Sequence, residues 1–139
     1  MLTRNNKKKL FELFKIMDGK NLMLEEGFIQ NSFLKNMVSL ASQLNEFEWA
    51  EKIANKYQPF IEKTYRKSAQ HFNLGVINFY QSNYNKATSN LIKAVLVSTG
   101  DIYYDIDVKM LLLKTAAISK SWIVVTKASC AIAVLRKRH

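Results

Sequence analysis

Residues 71–97 read HFNLGVINFYQSNYNKATSNLIKAVLV, and the way this stretch packs decides the fold. Tyr84, Ala87, Leu91 and Ala94 recur every three or four positions, the spacing of one face of an α-helix. The residues before them belong to a long helical pattern over 60–80, and Gln81-Ser82-Asn83 between the two reads as a turn. So short a joint forces the two helices to lie antiparallel. Gly75 has no Cβ and lets them approach closely. Ala87 and Ala94 are small where the second helix crosses its neighbours, and Tyr84 fills the gap at the turn.

The same period extends in both directions. Leu10, Phe11, Phe14 and Met17 share a face, and the break at 17–22 offers Gly19 as a helix C-cap. Over 28–44, Phe33, Leu34, Met37, Val38, Leu40, Ala41 and Leu44 form one broad stripe. Asn45-Glu46 connects it to a stripe of Phe47, Ala50, Ile53, Ala54 and Tyr57. Pro59 stops that helix, because proline disfavours helical backbone in the residue before it. A break at 98–101 precedes a helix over 106–117, around Leu111, Leu112 and Leu113. Composition agrees. Four Gly and one Pro in 139 residues leave little for the many tight turns of an all-β sandwich or barrel. An apolar share of 48% supplies a core for one domain of ordinary size. The expectation is an all-α fold of six or seven helices in antiparallel pairs.

Residues 71–97 resemble a tetratricopeptide repeat. Leu74-Gly75 matches the Leu-Gly pair of its first helix, and Tyr84, Ala87, Leu91 and Ala94 follow at the family's spacing. The sequence departs from the family at His71, at Asn78 and at the missing terminal proline. A second unit lies upstream, where Phe47-Glu48-Trp49-Ala50 parallels Tyr84-Asn85-Lys86-Ala87 at an offset of 37 residues, near the family's period of about 34. Met37-Val38 stands there in place of Leu-Gly. Residues 28–113 thus look like tetratricopeptide-like helical proteins of the uncharacterised bacterial type. The resemblance implies a short TPR-like right-handed array over 1–115. Periodicity alone also admits a helical bundle without repeats. The last stretch, TAAISKSWIVVTKASCAIAVLRKRH, carries no acid and favours strand at Ile123-Val124-Val125. Residues 116–139 read either as an altered, basic tail or as a divergent capping helix with Trp122, Ile123, Val125 and Ile132 packed on the last pair.

The net charge of +10 sits at the ends. Residues 1–11 hold Arg4, Lys7, Lys8 and Lys9 and no acid. Residues 108–139 hold seven basic groups, Arg136, Lys137 and Arg138 among them, and no acid. The 96 residues between balance to −1. Basic ends serve solubility, or bind nucleic acid or anionic membrane electrostatically. No export signal is read at the start, because Glu12, Lys15 and Asp18 interrupt the apolar residues. The most apolar stretch, 121–135, falls short of the ~20 residues that a span needs. One unpaired cysteine, Cys130, fits a reducing cytoplasm.

The residues suggest no chemistry. Cys130 has no histidine near it in sequence and reads as a buried or inert thiol. Glu25-Glu26 reads as a charge complement to a helix N-terminus, and Asp101 as the N-cap of the following helix. His71 reads as a packed or partly exposed imidazole. No Gly-rich phosphate loop exists, and no metal or cofactor set is expected. The chain is therefore expected to be no enzyme and to have no small-molecule substrate. In some proteins of the resembled family, basic and amide side chains on the first helices clamp a peptide carboxylate. The matching positions here are Ala69, Phe72, Asn73, Val76 and Phe79, of which only Asn73 suits a clamp. The resemblance thus implies an apolar peptide or helix laid along Phe72, Val76 and Phe79, unless these residues are core. The expected function is a protein-interaction or scaffolding module whose partner is another protein or a second copy.

Overall fold

Asn45 and Ser82 lie 37 residues apart, and both hold a left-handed backbone, each with φ of 62°. Around them the chain makes the same turn twice. The amide of Glu46 donates to the carbonyl of Ala41 at 2.8 Å, and that of Asn83 to Asn78 at 2.9 Å. The amides of Asn45 and Ser82 donate to Ser42 and Phe79, each at 3.0 Å. This paired bonding satisfies carbonyls that a helix end leaves open and reverses the chain in a few residues.

The computed structural model describes residues 2–97, 99–120 and 122–138, and for 122–124 and 134–138 the helical backbone alone. Among them the fold is all-α. Helix α1 spans Arg4–Gly19, α2 Asn31–Gln43, α3 Phe47–Tyr57, α4 Lys63–Tyr80, α5 Tyr84–Leu96, α6 Ile102–Ser119 and α7 Trp122–Arg138. A 3-10 turn, Gln58–Phe60, carries Pro59 after α3. Helices α2 and α3, and α4 and α5, form the two pairs that the sequence suggests. α4 is central, packing against α2, α3, α5 and α6. No described helix is long and apolar enough to cross a membrane.

Several local expectations are corrected. α1 runs through Gly19, and Asn21, with φ of 56°, takes the left-handed place. Asparagine tolerates that conformation better than most side chains. Glu25 and Glu26 head no helix. Glu25 and Phe28 exchange both backbone hydrogen bonds across a tight turn in which Glu26 and Gly27 have φ of 53° and 84°. Ile29 then donates to the carbonyl of Phe60 at 3.0 Å, pairing the buried Ile29 with the buried Ile61. These contacts use residues 25–29, so α2 begins at Asn31. Cys130 is exposed.

The far end is helical. Asp101 caps α6 by accepting from the Tyr104 amide at 3.2 Å, which starts that helix earlier than the leucine run implies. α6 continues through position 115, so the boundary drawn there falls inside a helix. α7 packs on α5 and α6, burying Ala128 and Ala131 and half-burying Val125 and Ile132. Packing outweighs the strand preference of its β-branched residues. The expected packing of Trp122 and Ile123 lies outside the described residues. α6 also turns an apolar stripe to solvent, with Tyr103 84% and Met110 60% exposed and Ile106 and Leu113 between and beyond them.

Side-chain bulk is divided differently in the two pairs. A Cβ on Gly75 would stand 2.7 Å from Leu91 Cδ2 and 2.8 Å from Leu91 Cγ. Thirty-seven residues earlier the equivalent positions hold Val38 and Ala54, both buried. Either pair brings four side-chain carbons, divided differently. At the other end Tyr57 donates its hydroxyl to Asp18 Oδ1 at 2.5 Å, and Lys56 Nζ approaches the same oxygen at 2.8 Å, tying α1 to α3. Phe11 on Trp49 completes that seam, with ring centroids 5.0 Å apart, and Phe14 on Phe33, at 5.8 Å, packs α1 on α2.

Burial pushes the Asp18 carboxyl up, but the hydrogen bonds from Lys56 and Tyr57, with the charges of Lys56 and Lys52, hold it below the ordinary aspartate range. A lowered folded-state pKa gives stability that is present above the unfolded value and lost as pH falls through the folded one. Asp18→Asn is expected to lose about 1–3 kcal/mol at neutral pH, with the gap to wild type closing in acid. Urea unfolding at both pH values checks this. Gly75→Val is expected to destabilise through overpacking, and Leu91→Ala through a cavity. The double variant should lose less than the sum of the two, by about 1–3 kcal/mol. Additive losses in the same unfolding experiment would show that the two positions do not share one space.

Candidate binding groove

The first helices of the pairs, α2 and α4, and the helix that follows them, α6, lie side by side and line a groove. A cavity of about 780 Å3 opens at their N-terminal ends. It adjoins one of about 250 Å3, with Lys35 and Asp107 lining both. That one adjoins a third, of about 860 Å3, with Asn36, Ser39 and Tyr80 lining both. Each thus shares a wall with the next along the three helices. Lys35 of α2 and Asp107 of α6 form an ion pair that crosses the groove as a bar.

The two ends differ in charge. Glu25, Glu26, Glu62, Asp101 and Asp107 line the first cavity, where the only basic group among the described residues is the paired Lys35. Phe28, 58% exposed, and Tyr103 stand beside these acids. Tyr65 and Tyr104 form the wall, their rings edge-on with centroids 6.4 Å apart. Burial pushes the Tyr104 hydroxyl up to about 12, against hydrogen bonds from Ser68 and Asn31, so it stays protonated. The third cavity has Lys7 and Lys114 on its lining and, among the described residues, no acid.

The candidate groove residues are divided. Phe72 and Val76 form the buried floor of the middle cavity, and Phe72 meets the Tyr104 ring edge-on at 5.6 Å. Asn73 and Phe79 line none of the three cavities. Phe79 is buried against Tyr80 and Tyr84, with Lys114 Nζ 5.9 Å above its ring. Asn73 is 2% exposed, and neither of its amide atoms has a hydrogen-bond partner. Phe72 and Val76 thus stay on the groove as its buried floor, while Asn73 and Phe79 lie in the core. The reason is the central position of α4, with helices against several sides at once.

Of the basic ends, Lys8 and Lys9 are exposed on α1, while Lys7 is half-buried beside the groove. The side chains of Arg136, Lys137 and Arg138 lie outside the described residues. Burial, with Lys93 and Lys67 nearby, holds His71 below the ordinary imidazole range. Among the described residues no three His, Cys, Asp or Glu side chains gather where they could hold a metal ion. The acidic end is what the sequence reading missed. Its signal is positional, since Glu25-Glu26, Glu62 and Asp101 each precede one of α2, α4 and α6.

No protein-family model, curated protein or solved structure matches the chain. The groove is therefore read from its own geometry.

The unpaired amide of Asn73 makes a direct prediction. Leucine has nearly the same shape and no polar atoms, so Asn73→Leu is expected to stabilise the fold by about 1–2 kcal/mol. A fall in stability on thermal and urea unfolding would show that Asn73 has a polar partner after all.

Proposed function

We propose that the chain is a short tetratricopeptide-like array that acts as a non-catalytic protein-interaction module, taking a segment of a partner protein along the groove of α2, α4 and α6. The groove carries this reading. Its floor of Phe72, Val76 and Leu111 and its polar rims are what a bound peptide needs, an apolar centre and groups that fix register. The array part of the reading is supported by the turn that recurs at Asn45 and Ser82, and by α3 and α5 starting 37 residues apart. Self-association belongs to the same class of function, and the bare stripe on α6 is where a second copy would add. A cytoplasmic setting is part of the proposal, because the exposed thiol of Cys130 suits a reducing compartment. The acidic rim repels phosphate, so nucleic acid or anionic membrane would have to be held through the basic termini instead.

Ser39 sits where the middle and third cavities meet, and Ser39→Trp would fill that space. Random peptides displayed on phage are selected against the wild type and against this variant. Peptides enriched on the wild type should bind the variant at least tenfold more weakly. No enrichment, or equal binding to both proteins, would sink the groove as the functional surface.

A further inference from the structure

We infer that the groove is electrically polarised and takes a partner segment with arginine or lysine at one end, apolar residues in the middle and acidic residues at the other. The inference rests on the groove reading above and specifies its ligand. Five of the chain's eleven acids line one end, and the lysine there is already paired with one of them. The N-termini of α2, α4 and α6 each add about half a positive charge, which leaves that end at about −2.5. The opposite end has Lys7 and Lys114. The carbonyl ends of α2 and α4 return about one negative charge, and that end stays positive.

The charge of +10 sits at the two ends of the sequence, and the acids of this pole all come from the near-neutral body between them. The acidic end is thus a part of the surface whose preference is opposite to that of the basic termini. The aromatic groups agree with it. Exposed Phe28 and Tyr103 flank the acids, and a planar guanidinium stacks on aromatic faces while its N–H groups reach carboxylates. Between the ends, the Lys35–Asp107 bar crosses a floor made of Phe72, Val76 and Leu111, which suits two or three apolar side chains. Length follows from the helices. The 18 residues of α4 span about 27 Å, which an extended peptide covers in about eight residues.

The test uses four fluorescein-labelled octapeptides with a Leu-Ala-Leu-Ala centre and the full chain as it stands. One has Arg-Lys before the centre and Glu-Asp after it, one is acidic at all four outer positions, one is basic at all four, and one carries glutamine there. Fluorescence anisotropy should rank the bipolar peptide first, with the neutral one about tenfold weaker for each end whose charges matter. Glu25→Gln with Glu62→Gln, both exposed side chains, should lower bipolar binding about tenfold and leave the neutral peptide unchanged. Lys7→Gln with Lys114→Gln should do the same from the other end. A benzophenone on the basic end should crosslink to the segment holding Phe28 or Tyr103. Circular dichroism confirms that each variant is folded. Tightest binding by the all-acidic peptide, or equal binding of neutral and bipolar peptides, overturns the polarity. If the neutral peptide binds and loses affinity on Ser39→Trp, the groove reading survives that result. Absence of binding by all four peptides overturns both.

Discussion

The left-handed residue at the end of each first helix is the constraint on which the rest of this structure depends. At Asn45 and Ser82 the backbone takes a conformation that costs most side chains about 1–2 kcal/mol. In return the chain reverses within three residues, and the carbonyls of Ala41, Ser42, Asn78 and Phe79 each accept a hydrogen bond. Because the reversal is so tight, each second helix must run back along its own first helix. The two first helices then stand on the same side of the molecule. A longer or looser joint would let a second helix lie elsewhere, and no groove would follow.

The charge arrangement comes from the same geometry. First helices that stand side by side bring their N-terminal ends together. The segments leading into those ends carry Glu25, Glu26, Glu62 and Asp101. Glu62 and Asp101 have a local reason to be there, since each stands directly before a helix, where negative groups are favoured. Glu25 and Glu26 head no helix and are carried to the same end by the turn before α2. The sum is a property of the array, a pole that no single helix has. Phe28 reaches that pole because the turn at Glu26 and Gly27 folds the preceding connection back on itself.

Much of the fold was legible in the residues. Periodicity located the helices, Pro59 the end of α3, and Asp101 the start of α6. Gly75 announced a close approach, and Leu91 fills it. The failures have physical causes. Gly19 is the flexible residue near the end of α1, but capping is decided by where the carbonyls fall, and Asn21 occupies that place. Asn73 and Phe79 are buried on the crowded helix α4, away from the cavities, and no local pattern separates them from Phe72 and Val76 on the groove floor. The strand preference near Val125 is a weak local signal, and packing on α5 and α6 overrides it. The acidic end was missed because its members are up to 82 residues apart, from Glu25 to Asp107, and only the place of Glu25, Glu26, Glu62 and Asp101 before α2, α4 and α6 links them.

The different division of bulk between Val38 with Ala54 and Gly75 with Leu91 has a consequence for folding. A chain built from two similar helix pairs risks matching the first helix of one pair with the second helix of the other, within one molecule or between two. Here the wrong matches are unequal to the right ones. Val38 against Leu91 would crowd seven side-chain carbons into a space suited to four, and Gly75 against Ala54 would supply one and leave a hole. Both errors are penalised by packing alone. Packing of this kind favours each helix beside its own mate over exchange of helices between neighbouring copies.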